Sequence, residues 1–72
     1  MASSNKDIAF AAVDSGFGDA VKKSLALLQD NLITDPGSMG RQGGRDRFGV
    51  ALRAALDARL IARSVIDTAI TD

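Results

Sequence analysis

The chain has 72 residues with nine basic and nine acidic side chains, so its formal net charge is zero. This length allows one small domain, and a domain of this size buries only about 60% of its unfolded surface, which leaves a lone core marginal. Cysteine and histidine are both absent, which excludes disulfides and removes the commonest metal ligand and general base. We therefore expect a single domain over residues 1–72 whose stability needs a partner.

The charges are unevenly spread along the chain. Residues 1–35 carry three Lys against five Asp, a net charge of −2, and residues 36–72 carry six Arg against four Asp, a net charge of +2. This asymmetry suits two halves that lie together, or neighbouring copies that pack head to tail. The longest apolar run, Ile8–Val13, is too short to span a bilayer. No Sec-type signal is visible in residues 1–7, so a cytoplasmic location is the default expectation.

The first predicted element is a short helix at about residues 5–13. Ser4 can cap it, with Asp7 in the capping-box position. Three alanines in the run Ile8–Val13 favour a helix over the alternative, a short buried strand. We expect residues 1–4 to be a frayed terminus.

The second predicted element is an amphipathic helix over about residues 16–33. It is separated from the first because residues 14–18, DSGFG, contain two glycines, each of which costs up to about 1 kcal/mol in a helix relative to alanine. Pro36 disfavours helical backbone at Asp35, so this helix should end just before Asp35. Apolar and small residues recur on one face at spacings of three and four: Phe17, Ala20, Val21, Ser24, Leu25, Leu28 and Leu32.

Residues 34–46, TDPGSMGRQGGRD, form the predicted connection. They hold four of the seven glycines and the only proline, so we expect a flexible Gly/Arg-rich loop. Asp46 is the expected cap of the helix that follows. A phosphate-binding loop is disfavoured, because no Lys follows the glycines and a helix, not a strand, precedes them.

The same loop carries Arg41, Arg45 and Arg47 close together. They could contact an acidic partner or nucleic-acid phosphates, with Arg53 as a further contact, which defines the alternative of a nucleic-acid-binding regulator. The loop has no aromatic side chain for base stacking. The other interpretation is a solvated, mobile tip.

The last predicted helix, about residues 47–70, has more apolar surface than one partner helix can cover. A row of Leu52, Leu56 and Leu60 runs along one edge of it. A helix at residues 16–33 can cover the alanine-rich face but not this row, so we infer an all-α helical hairpin completed by self-association. The alanine-rich face comprises Ala51, Ala54, Ala55, Ala58, Ile61, Ala62, Val65, Ile66 and Ala69.

Two arginines, Arg59 and Arg63, flank the leucine row at a spacing of four, at which like charges repel. We expect this edge to face acids, and the alternative is a solvated edge with Arg63 paired to Asp67. The acids that could pair with these arginines, in the same hairpin or in another copy, are Asp14, Asp19 and Asp30. The predicted interaction surface is formed by Leu52, Leu56, Leu60, Arg59 and Arg63.

The inventory of side chains argues against catalysis. The serines have only Asp or Lys as neighbouring groups, and no aspartate spacing matches a calcium loop. We therefore predict a non-enzymatic protein without cofactor or metal, which acts by self-association or by binding another protein. A homodimeric four-helix bundle and an open assembly are the two forms expected.

In layout, the chain resembles the subunits of type III secretion needles and pili. The matching pieces are the polar start Ser3-Ser4-Asn5, the turn with Asp35-Pro36 and the last helix, Phe48–Ile70. The resemblance implies a secreted filament subunit as an alternative function. The longer Gly/Arg-rich loop departs from that layout.

Overall fold

The structure, a computed structural model, describes residues 3–72. Within this range it contains two helices, α1 over Asn5–Thr34 and α2 over Ser38–Ala69, and no strand. The helices pack side by side in opposite directions along their whole length, in a body with principal extents of 51 × 21 × 10 Å. The predicted all-helical hairpin is therefore confirmed.

The start of α1 agrees with the sequence. Ser4 is the N-cap residue, and its Oγ accepts a hydrogen bond from the backbone N–H of Asp7 at 3.1 Å. Ser4 therefore caps α1 as predicted, whereas fraying of residues 1–4 stays a prediction, and residues 1 and 2 lie outside the described residues. Residues 8–13 are helical, as their alanine content favours.

The predicted break at residues 14–18 is wrong. α1 runs without interruption through both glycines to Thr34, so residues 5–13 are its first turns and not a separate helix. The flanking Val13 and Phe17 line the groove against α2, and burying apolar side chains of this size stabilises by about 1.5–3 kcal/mol each at full burial. This packing offsets the unfavourable helix propensity of the two glycines.

The connection between the helices is much shorter than predicted. α1 ends just before Asp35, as expected, but α2 begins at Ser38 with Gly37 at the N-cap position. Asp35 Oδ1 accepts a hydrogen bond from the N–H of Gly37 at 3.3 Å within this three-residue turn. The predicted loop over residues 34–46 is therefore wrong for residues 38–46, and Asp46 lies inside α2 instead of capping it.

Two glycines explain why residues 38–46 are helical. Within residues 3–72 Gly44 alone is buried, and a Cβ there would lie 2.8 Å from Leu28 Cδ1. A Cβ on Gly40 would overlap the carbonyl oxygen of Asp35. Both glycines let α2 approach α1 closely beside the turn, and this tertiary packing outweighs their low helix propensity.

The layer between the helices is thin. No apolar side chain in residues 3–72 is fully buried. The accessible surface is 5497 Å², whereas a compact monomer of 7.5 kDa exposes about 4,250 Å². The radius of gyration is 16.4 Å, whereas a compact domain of this length has a radius of gyration of about 11 Å. Over the residues that the structure describes, the hairpin therefore encloses no core of its own.

The side of α2 that faces α1 differs from the predicted alanine face. Leu52, predicted to stay exposed, is half-buried, whereas Ile61 and Val65, predicted to be covered, are 65% and 56% exposed. At 100° per residue, the contact line is rotated by roughly 70° from the predicted one. The half-buried positions that mark this line include Phe48, Ala55, Arg59, Ala62 and Ile66.

Candidate interaction surfaces

Both arginines that flank the leucine row bind one aspartate of the same chain. Arg59 Nε donates to Asp14 Oδ1 at 3.0 Å, and Arg63 Nη1 donates to both carboxylate oxygens of Asp14 at 3.3 and 3.4 Å. Each guanidinium also lies over an aromatic ring, Arg59 5.2 Å from the centroid of Phe17 and Arg63 4.4 Å from that of Phe10. Asp14 thus compensates the repulsion between the two arginines.

These contacts settle which acid the two arginines meet within the hairpin. It is Asp14, not Asp19 or Asp30, and Asp67 pairs instead with Lys6 at 3.3 Å. The Asp14 side chain is 45% exposed and the arginines 37% and 39%, so each pair contributes little on its own. Together they bridge α1 and α2 on one side of the hairpin.

The leucine row is divided by the rotated contact line of α2. Leu52 turns towards α1, while Leu56 and Leu60 remain 40% and 65% exposed. Leu25 of α1, predicted to be on the inner face, is 46% exposed on the same side of the hairpin. We call the surface formed by Leu25, Leu56 and Leu60 the leucine edge. It is a small apolar surface bordered by the Asp14–Arg59–Arg63 cluster, and its role in binding stays a prediction.

The opposite side of the hairpin is a larger exposed apolar surface. Two shallow grooves between α1 and α2 open on it, one around Ala58 and one around Leu27. Four large apolar side chains on this side are 56–65% exposed: Leu27, Val50, Ile61 and Val65. We call the surface formed by Gly16, Ala20 and Leu27 of α1 with Val50, Ala54, Ala58, Ile61 and Val65 of α2 the alanine side.

The predicted arginine cluster is split between two sides. Arg41 and Arg45 line a cleft of about 670 Å³ beside the first turn of α2. Arg47 lies in the groove on the alanine side, where its Nη1 donates to Asn31 Oδ1 at 3.4 Å. Arg53 is exposed further along α2. Because residues 38–46 are helical, side chains that are close in sequence point in different directions.

Two polar contacts join the start of α1 to the residues at and after the end of α2, and the sequence pattern did not predict them. Asn5 Nδ2 donates to Asp72 Oδ2 at 3.0 Å, and the Lys6 ammonium binds Asp67 Oδ1 at 3.3 Å. The only signal for them was the opposite net charge of the two halves. They hold the first turn of α1 against the end of α2.

The described part of the chain offers no cluster of three or more metal-ligating side chains. Neither helix in residues 3–72 is long and apolar enough to cross a membrane. Comparison with known proteins finds no matching protein-family model, no matching curated protein and no matching solved structure. A function must therefore be inferred from the surfaces of the hairpin.

Proposed function

We propose that this chain is a non-enzymatic helical hairpin that acts by associating with itself. The observation that supports this proposal is the exposed surface of 5497 Å², about 1,250 Å² more than a compact monomer of this mass exposes. Large apolar side chains contribute to this exposed surface, since Ile61, Leu60 and Leu27 are each more than 60% exposed. A single hairpin leaves them in water.

The energetics favour covering this surface. Ordering each residue costs about 1–2 kcal/mol of backbone entropy, and apolar burial returns about 25 cal/mol per Å². Two chains that each covered their excess would bury about 2,500 Å² in total, within the range of obligate homodimers. Association would therefore supply the burial that the isolated hairpin lacks.

A homodimeric four-helix bundle is the simplest closed form of such an assembly. Two antiparallel hairpins can each present one face to the other around a two-fold axis. This form requires no third component and leaves the opposite face of each hairpin free for a further protein.

An open filament is the second candidate, of the kind implied by the resemblance to secretion-needle subunits. The turn Asp35–Gly37 supports it, because the connection has three residues and the long loop that departed from that layout is absent. A nucleic-acid regulator is the third candidate. Arg41 and Arg45 share a cleft, and two phosphate contacts would give a salt slope of about −1.8 on duplex DNA.

Analytical ultracentrifugation from about 1 μM to about 1 mM protein tests the proposal. The helix content of the same samples is measured by circular dichroism. We expect a discrete dimer whose helical signal falls on dilution as the dimer dissociates. Growth without limit would favour the filament. A fully helical monomer at all concentrations would contradict self-association.

A further inference from the structure

We propose that the alanine side is the surface on which a second copy of this chain docks, with Ala54, Ala58, Ile61 and Val65 of α2 at the centre of the seam. This inference rests on the proposed self-association and assigns it to one of two exposed surfaces. The leucine edge would then remain at the outside of the dimer.

The distribution of charge favours the alanine side. Between Phe48 and Ile70, the charged side chains of α2 lie outside the arc that holds Ala54, Ala58, Ile61 and Val65 at 100° per residue: Arg53, Asp57, Arg59, Arg63 and Asp67. Asp57 borders this arc, and one arginine lines each groove that opens on the alanine side, Arg47 around Leu27 and Arg59 around Ala58. The leucine edge, in contrast, is bordered by the half-exposed Asp14–Arg59–Arg63 cluster. Covering that cluster would remove three charges from water, and the Coulomb attraction does not reliably repay this desolvation.

The shape of the alanine side also suits a second helix pair. Ala51, Ala54, Ala58, Ile61 and Val65 are spaced alternately by three and four residues, which is the spacing of a seam between packed helices. The alanines and Gly16 allow the backbones to approach closely. The exposed side chains of Ile61 and Val65 can then enter the shallow grooves between α1 and α2 of the other copy.

The area and the symmetry agree with a second copy as the occupant. The excess exposed surface, about 1,250 Å² per chain, matches what one subunit of a stable homodimer covers. A self-complementary face closes around a two-fold axis. Ala58 lies midway between Ala51 and Val65, so it would sit near that axis and face its counterpart whether the two α2 helices run parallel or antiparallel.

A matched pair of double substitutions separates the two surfaces. I61D with V65D places charges in the proposed seam, where the replaced side chains are 65% and 56% exposed. L56D with L60D places the same number of charges at the leucine edge, where they are 40% and 65% exposed. We expect the first variant to raise the dimer dissociation constant by about 100-fold or more, since its carboxylates would be desolvated on docking. The second should stay within about threefold of wild type. The reverse order of effects would overturn the inference.

Disulfide cross-linking between copies tests the same surface without introducing charges that could destabilise the chain. The natural sequence has no cysteine, so single variants Ala58→Cys and Leu60→Cys can be oxidised mildly and counted as cross-linked dimer on a non-reducing gel. We expect efficient cross-linking for Ala58→Cys and only the diffusional background for Leu60→Cys. Preferential cross-linking at Leu60 would overturn the choice of surface while leaving self-association intact. A monomeric wild type in the centrifuge would instead overturn self-association and this inference together.

Discussion

Gly44 of α2 lies so close to Leu28 of α1 that a Cβ on the glycine would come within 2.8 Å of Leu28 Cδ1. This contact is the tightest side-chain approach at any glycine away from the turn, and it occurs where the sequence pattern predicts a flexible loop. The helical start of α2 therefore depends on a missing side chain, and substitutions at the glycines test this directly.

Gly44→Ala should behave differently from Gly43→Ala. A Cβ at Gly43 meets nothing within 4 Å, so this substitution should stabilise by up to about 1 kcal/mol through helix propensity. At Gly44 the added methyl must displace Leu28, and overpacking costs about 1–3 kcal/mol. Urea unfolding at a fixed protein concentration measures both. Equal stabilisation by the two variants would show that the helices do not approach closely here.

Gly40→Ala should be more harmful, because the added methyl would overlap backbone and not a flexible side chain. The atom in the way is the carbonyl oxygen of Asp35, which the turn holds in place. We expect a loss of about 3 kcal/mol, at the upper end of the usual cost of overpacking, seen as a lower urea midpoint. Gly49→Ala is the control, since open space surrounds its Cβ position. A neutral Gly40→Ala would mean that the turn between the helices is looser than described.

Asp14→Asn should weaken the hairpin modestly and make it less sensitive to salt. The substitution removes the charge between Arg59 and Arg63 and leaves the two guanidinium groups to repel. Since all three side chains are more than a third exposed, we expect at most about 1 kcal/mol. The difference from wild type should shrink in about 1 M salt, where charges are screened.

The control for that variant is Asp57→Asn, on the exposed outer side of α2. It removes the same charge from the chain and should change the free energy of unfolding by less than about 0.5 kcal/mol. If both variants behave alike, the effect belongs to net charge and not to the cluster around Asp14.

Ser4→Ala should fray the first turn of α1. The substitution removes the oxygen that accepts the hydrogen bond of the Asp7 N–H, and the loss of such a cap costs about 1 kcal/mol. Hydrogen exchange at the Asp7 amide should accelerate several-fold. Ser3→Ala, one residue outside the cap, should leave that exchange rate unchanged.

The N-terminal cap, the end of α1 and the all-helical class follow from local rules. Ser4 with Asp7 is a capping signal, Pro36 restricts the residue before it, and alanine favours helix over strand at residues 8–13. Each of these depends on neighbours within a few positions, so a single sequence is enough to predict them.

The length of both helices and the composition of the contact line depend on residues far apart in the chain. Gly44 meets Leu28, and Asp14 meets Arg59 across 45 positions; neither contact leaves a periodic signal. The glycines of residues 38–46 indicate a loop by propensity, but the approach of a second helix makes their small size favourable. The sequence by itself therefore determined the all-helical class, the cap at Ser4 and the end of the first hairpin helix before Asp35. Only the tertiary structure decided that α2 starts at Ser38 and which side of α2 faces α1, because contacts between residues far apart in the chain set both.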